Sequence, residues 1–226
     1  MAKTLKDTGS TNFKLPVAGT YQGRCYGIAF LGTAPETIKG ETSMKTKIRI
    51  SWELPTEKAV FKEGEEAKPF AVHRLLNESV SEKSDVFKLL NNWTSGLVNK
   101  DNIKKFDMEK VLGQHCLLNI IHKPSTKDSS VVYLEVSGIS PVPKNMKVEP
   151  AFNPISLFDV ERFDQKEFNK LPKFLRERTV TTEEFKALKL NATEVLAATD
   201  NHYAAASGDD AFVSDTTDND VDPFTV

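Results

Sequence analysis

The sequence predicts a mainly β protein: a small five-stranded barrel with one helix between its third and fourth strands, then a short helical extension and an acidic tail. Three observations carry this expectation. Five runs rich in β-branched and aromatic residues lie between residues 20 and 140, and a single strong helical pattern falls between the third and the fourth. The chain of 226 residues then changes character near 150 and again near 190. With 39% hydrophobic residues it has the apolar content for a core.

Residues 1–18 are polar and without periodicity and read as a flexible arm. The domain of residues 19–149 begins with 20–31 (TYQGRCYGIAFL), a strand with Gly23 and Gly27 as bulge or bend points. Residues 33–43, rich in Pro, Gly, Ser and Thr, read as a connecting loop. The clearest strand is 44–54. Ile48, Ile50, Trp52 and Leu54 alternate with Lys45, Lys47, Arg49, Ser51 and Glu53, which puts one face in a core and the other in solvent. Pro55 is expected to end it, and the charged stretch 56–68 to form an exposed hairpin before a third strand over 69–76.

Ser79 and Glu82 match a capping box, and Val86, Leu89, Leu90, Trp93 and Leu97 follow helical spacing, so a helix is expected over 80–97. Residues 106–113 read as one or two helical turns closed by Gly113. Strands follow at 115–122 and 130–140, around a polar hairpin loop at 123–129. This order of elements is that of an OB-fold barrel. Over 150–190, phenylalanines and leucines stand among charges, with short helices expected near 164–177 and 181–189. That segment is too small to bury its own core and should pack on the barrel, on another subunit, or on both. Residues 191–226 read as a disordered acidic tail.

Charge follows the same division. The formal net charge of −2 is the sum of a +6 body (residues 1–190) and a −8 tail that holds Glu194, seven aspartates and no Lys or Arg. Such asymmetry points towards nucleic acid. No apolar run approaches the ~20 residues of a membrane span, the first residues carry no secretion signal, and a cytoplasmic protein is expected. Two cysteines, Cys25 and Cys116, are too few for a disulfide scaffold or a four-thiolate zinc site.

No enzyme motif is present: no phosphate loop, no dinucleotide fingerprint and no nucleophile elbow. His115 and His122, an odd seven residues apart on one strand, point to opposite faces and read as strand-end polar residues. Glu66 and Lys68 faintly match a nuclease E-x-K pattern but sit in a charged turn. A non-catalytic protein with no metal and no cofactor is expected.

The positive signals are cations beside aromatics. Lys45, Lys47 and Arg49 form a stripe about 13 Å long. Arg24 and Tyr26 share a face of the first strand, with Phe30 further along it. His73 and Tyr133 face away from the apolar residues of the third and fifth strands. A basic groove lined by rings is what binds single-stranded nucleic acid. Each residue also has an ordinary reading, a solvated strand face for the cations and amphipathic packing for the rings. Trp52 and Trp93 lie on apolar faces and read as core.

The chain ends in Asp218, Asp220, Asp222, Pro223 and Phe224, followed by Thr225 and Val226. Acidic repeats before Pro-Phe resemble the tip by which bacterial single-stranded-DNA-binding proteins recruit replication and repair enzymes. In that family the phenylalanine is terminal; here two residues follow it. The ordered series GTYQGRCYGIAFLGT, KIRISWELP, SEKSDVFKLLNNW, FDMEKVLGQHCLLNIIHK and YLEVSGISPVPK is similar to a bacteriophage group of single-stranded-DNA-binding or replication-associated OB-fold proteins. The resemblance covers about residues 15–190. It implies a protein that coats single strands during phage DNA replication or recombination in the infected cell and meets phage or host replication proteins through its tail; the sequence leaves a homo-oligomer open. Two other readings stand beside it: a replication-complex interaction module with weak or no nucleic-acid binding, and a nuclease.

Overall fold

The computed structural model describes residues 14–62, 64–124 and 132–198. Strand β1 (Gly19–Ile38) and strand β2 (Glu41–Ala59) form one long antiparallel hairpin, turned at Lys39 and Gly40, both at positive φ. Residues 33–43 are thus mostly ladder and not the expected loop. The threonines there are β-branched and pair across the strands: the hydroxyls of Thr33 and Thr46 lie 2.8 Å apart, as do those of Thr37 and Thr42. Those pairs offset the Pro and Gly that pointed to a loop. Strand β2 likewise runs past Pro55, because a register shift between Leu54 and Lys58 takes the proline out of the ladder.

Strand β3 (Lys68–Asn77) pairs with β2, β4 (His115–Pro124) with the first half of β1, and β5 (Val132–Ser140) with β4. Helix α1 (Asp85–Trp93) lies between β3 and β4 as expected but is shorter at both ends. Its N-cap is Ser84, whose Oγ accepts from Phe87 N–H, while the Ser84 hydroxyl donates to the Ser79 carbonyl. The capping-box serine therefore braces the entry turn instead of starting the helix. At the other end the Thr94 hydroxyl takes the Leu90 carbonyl and Ser95 and Gly96 adopt positive φ, so Leu97 leaves the helical face and is 78% exposed. Two 3-10 turns, Ile103–Lys105 and Met108–Val111, lead to β4, with Gly113 at positive φ.

The protein is mainly β. The hydrogen-bonded path runs β3-β2-β1-β4-β5 and does not close among the described residues, although Cα atoms of β3 and β5 come within 8 Å. A sixth strand, β6 (Ser156–Asp159), pairs parallel with Gly27 to Phe30 of β1, on the edge that β4 leaves. It was not foreseen, since four residues after a proline-rich stretch carry no period. Four short helices follow: α2 (Gln165–Asn169), α3 (Lys173–Thr179), α4 (Glu183–Ala187) and α5 (Ala192–Ala197). Helix α5 moves the boundary with the tail from 190 to beyond Ala197, and Val195 is buried. At the other terminus Pro16 is buried and its carbonyl accepts from His122 Nε2 at 2.7 Å, so residues 14–18 belong to the body and not to the arm.

The sheet carries a core on each side. The inner core holds Ile48, Ile50, Trp52 and Leu54 of β2, packed with α1, β4 and β5; Trp52 and Trp93 meet at 6.0 Å. The outer core joins Ala29 and Leu31 of β1 to Phe158, Phe168, Leu175 and Phe185 of the C-terminal layer. Gly32 at the seam has positive φ, and a Cβ there would stand 2.6 Å from Glu184 Oε2, so the glycine admits both the turn and the helix. Cys25 and Cys116 are free, buried thiols; burial pushes Cys25 up to about 12 and Cys116 well above its ordinary value, which leaves them unreactive. Among the described residues no helix is long and apolar enough to cross a membrane.

Candidate nucleic-acid interface

The C-terminal layer lies on the face of β2 that the alternation assigned to solvent. Arg24, Lys47 and Arg49 are each only 7% exposed, which corrects the expectation of an open cationic stripe. Burial of these charges is tolerable only with partners. Lys47 Nζ stands 2.8 Å from a Glu36 carboxylate oxygen, and Arg24 Nη1 stands 2.9 Å from Glu53 Oε1 and donates to the Asn153 carbonyl. Both are therefore structural cations and not phosphate contacts. Lys45 is half-buried, and its carbonyl accepts from Arg178 Nη2.

Glu53 is the centre of this arrangement. It is fully buried and accepts from Arg24, from the Phe152 N–H, and from both the N–H and the side-chain amide of Asn153. A single carboxylate thus clamps the incoming chain of the C-terminal layer on the sheet. Further along, Glu184 of α4 accepts from the N–H and the hydroxyl of Thr33, each at 2.7 Å, and Arg178 of α3 donates to the Gly32 and Lys45 carbonyls. Burial acts to raise the Glu184 carboxyl, but the two Thr33 bonds and the Arg178 charge outweigh it and hold the carboxyl below its ordinary value.

A pH dependence follows. The unfolded chain binds the proton at Glu184 more tightly than the folded chain does, so the stabilisation is complete above the ordinary carboxylate range. It is lost as pH falls through and below that range. The difference in Tm between the parent and Glu184→Gln is expected to be greatest near neutral pH and to shrink on acidification. A gap that widens in acid overturns this assignment.

Between the clamp and the helices a row of the outer face stays partly open. The bulge between Cys25 and Gly27 turns Tyr26 onto this face, where its ring meets His73 edge to face at 6.4 Å across Ser51. Arg49 occupies the next position of the same face of β2, opposite Ala29 and Leu75, but is covered there, its buried Nη2 without a hydrogen-bond partner. At the clamp end Phe152 is 45% exposed and carries Lys58 Nζ over its ring at 5.9 Å. So Tyr26, His73 and Arg49 are brought together. Phe30 is not among them: it packs against the inner core and lines one cleft there and a second at the seam with Val160 and Glu184 of the C-terminal layer. Tyr133 is half-buried on the β4–β5 pair, opposite Lys123 and away from the row.

Phe152, Lys58 and Asn153 were missed because nothing local marks them. Phe152 and Asn153 lie in an aperiodic linker, and their partners are about a hundred residues away. Among the described residues no group of three His, Cys, Asp or Glu is placed to hold a metal. Asp218, Asp220, Asp222, Pro223 and Phe224 lie outside the described residues.

No family model, curated protein or solved structure matches the chain. The reading of the site rests on its own chemistry.

Proposed function

We propose that the protein is a non-catalytic, OB-like single-stranded-DNA-binding protein that coats single strands with little sequence preference in phage replication or recombination. The carrying observation is the partly open row on the outer face: the half-buried Tyr26–His73 ring pair, and the exposed Phe152 with Lys58 at the clamp end. Rings offer sequence-tolerant stacking platforms, and the exposed Lys58 ammonium meets the backbone. The order of elements supports the same reading, since β3-β2-β1-β4-β5 with a helix between β3 and β4 is an OB barrel once β3 and β5 are brought into register. In such barrels the face of strands 2 and 3 binds the strand. The acidic tail then serves as a partner-recruiting segment for replication or recombination proteins in the host cytoplasm.

Fluorescence anisotropy with labelled oligo-dT tests this. Tyr26→Ala is expected to weaken binding by about 1–3 kcal/mol, the worth of one stacked base, and affinity should fall steeply with salt. Duplex DNA of equal length should bind much more weakly. If the parent shows no binding at low salt, the proposal fails.

The burial of Arg24 and Lys47 in ion pairs favours a second reading, an interaction module for replication proteins with weak or no nucleic-acid binding. It predicts equal, negligible binding of oligo-dT by the parent and by Tyr26→Ala.

A further inference from the structure

On the inner side, where β1 and β2 pass the 3-10 turns before β4, lies an open cleft of about 310 Å3. Its floor is apolar, formed by Phe30, Ile48, Leu90, Ile103, Phe106 and Met108. Its rim is acidic. Glu78, Asp107 and Glu109 line it, and an adjoining cleft of about 240 Å3, which shares Phe30, Glu78 and Arg162, adds Asp159, Glu161 and Glu184. Six carboxylates thus face two cations, Lys104 and Arg162, and Arg162 is already engaged by Asp159 and Glu109. Burial, and after it the charges of Asp159, Glu161 and Glu184, raise the Glu78 carboxyl.

An apolar floor within an acidic rim repels nucleic acid and repels the acidic tail. It fits a basic segment with an apolar anchor. The chain itself carries one. Residues 1–13, outside the described residues, include Lys3-Thr4-Leu5-Lys6, a leucine with a lysine next to it and another two residues before it. A second copy can present it from any direction, whereas the chain's own segment is tethered at Lys14. Leu5 is nine residues before Lys14, a span of about 30 Å at full extension. The described chain begins beside His122, and the path along the bulged strand β1 from Gly19 to Phe30 at the cleft is about 36 Å long.

We infer that this cleft is a self-association site that takes the Lys3–Lys6 segment of a second copy of the chain, with Leu5 on the apolar floor and the two lysines on the carboxylate rim. The contact joins two different surfaces, so it either propagates from copy to copy or closes by reciprocal exchange of the segment between two copies. It does not depend on the DNA-binding reading.

Sedimentation velocity of the full-length chain tests the inference. The parent should associate with rising concentration and dissociate with added salt. Leu5→Asp should weaken association at least about tenfold, because one anchor side chain is lost. The rim double variant Glu78→Lys/Glu109→Lys should do the same. The two variants mixed should restore association, limited to one-to-one pairs, because one supplies an intact cleft and the other an intact segment. That complementation cannot come from misfolded protein. A parent that stays single at every concentration overturns the inference, and so does a Leu5→Asp variant that associates as the parent does or a mixture that fails to pair.

Discussion

Replacing Glu53 by alanine is expected to lower the unfolding free energy by about 3–5 kcal/mol, the cost of leaving a buried charge without its partner. Glu53 is fully buried, Arg24 is 7% exposed, and the remaining acceptor for the guanidinium is the Asn153 carbonyl. The N–H groups of Phe152 and Asn153 lose their acceptor as well. At ~2–4 °C per kcal/mol for a chain of this size, the Tm should fall by roughly 10 °C. Replacing Arg24 and Glu53 together by leucine should cost much less than the sum of the two single changes, since it removes both charges at once. A Glu53→Ala variant that melts with the parent sinks the clamp. The same variant bears on the outer-face row: Phe152 is positioned through its N–H by Glu53, so loss of the clamp should also disturb the Phe152–Lys58 pair.

Phe168→Ala is expected to destabilise by about 3–5 kcal/mol through the cavity it leaves. Phe168 is fully buried and meets Phe163 at 5.1 Å and Phe158 at 5.7 Å. The informative readout is tryptophan fluorescence. Trp52 and Trp93 both lie in the inner core, on the opposite side of the sheet. Because β1 contributes Cys25 and Ile28 to the inner core and Ala29 and Leu31 to the outer one, both sides should unfold in one transition. The tryptophan signal should therefore shift with the far-UV signal. If only the far-UV signal shifts, the C-terminal layer unfolds by itself and is an appendage of the sheet.

These two residues also mark how far the sequence was legible. The alternation of Ile48, Ile50, Trp52 and Leu54 against Lys47, Arg49, Ser51 and Glu53 is a local pattern, and the inner core follows it directly. The strands and the single helix between the third and fourth were legible for the same reason: a period of two or of 3.6 is written in adjacent residues. Element ends were less so. Pro55 and the Pro-Gly composition of 33–43 gave strong local signals for breaks, and cross-strand pairing overrode them at both places. For the candidate site, the shared face of Tyr26, His73 and Arg49 was legible from alternation and residue type, the burial of Arg49 was not, and Phe152 and Lys58 carry no such signal.

What the amino-acid order determined by itself is which side chains must share an environment. Strict alternation on β2 puts its cations on the side opposite Trp52, and no packing arrangement changes that. Only the tertiary structure decided what that environment is. A charged face is compatible with water, or with burial under another layer when each charge finds a counter-charge. Here Lys47 finds Glu36 across the hairpin, and Glu53 finds Arg24 and Asn153. Coulomb and hydrogen-bond partners are chosen by proximity in space, so a contact between residues 53 and 153 leaves no trace in either local pattern. The same division explains the outer-face row: the sequence names a tyrosine, a histidine and an arginine, and the bulge at Tyr26 together with the reach of the C-terminal layer leaves the two rings partly open while Arg49 is covered.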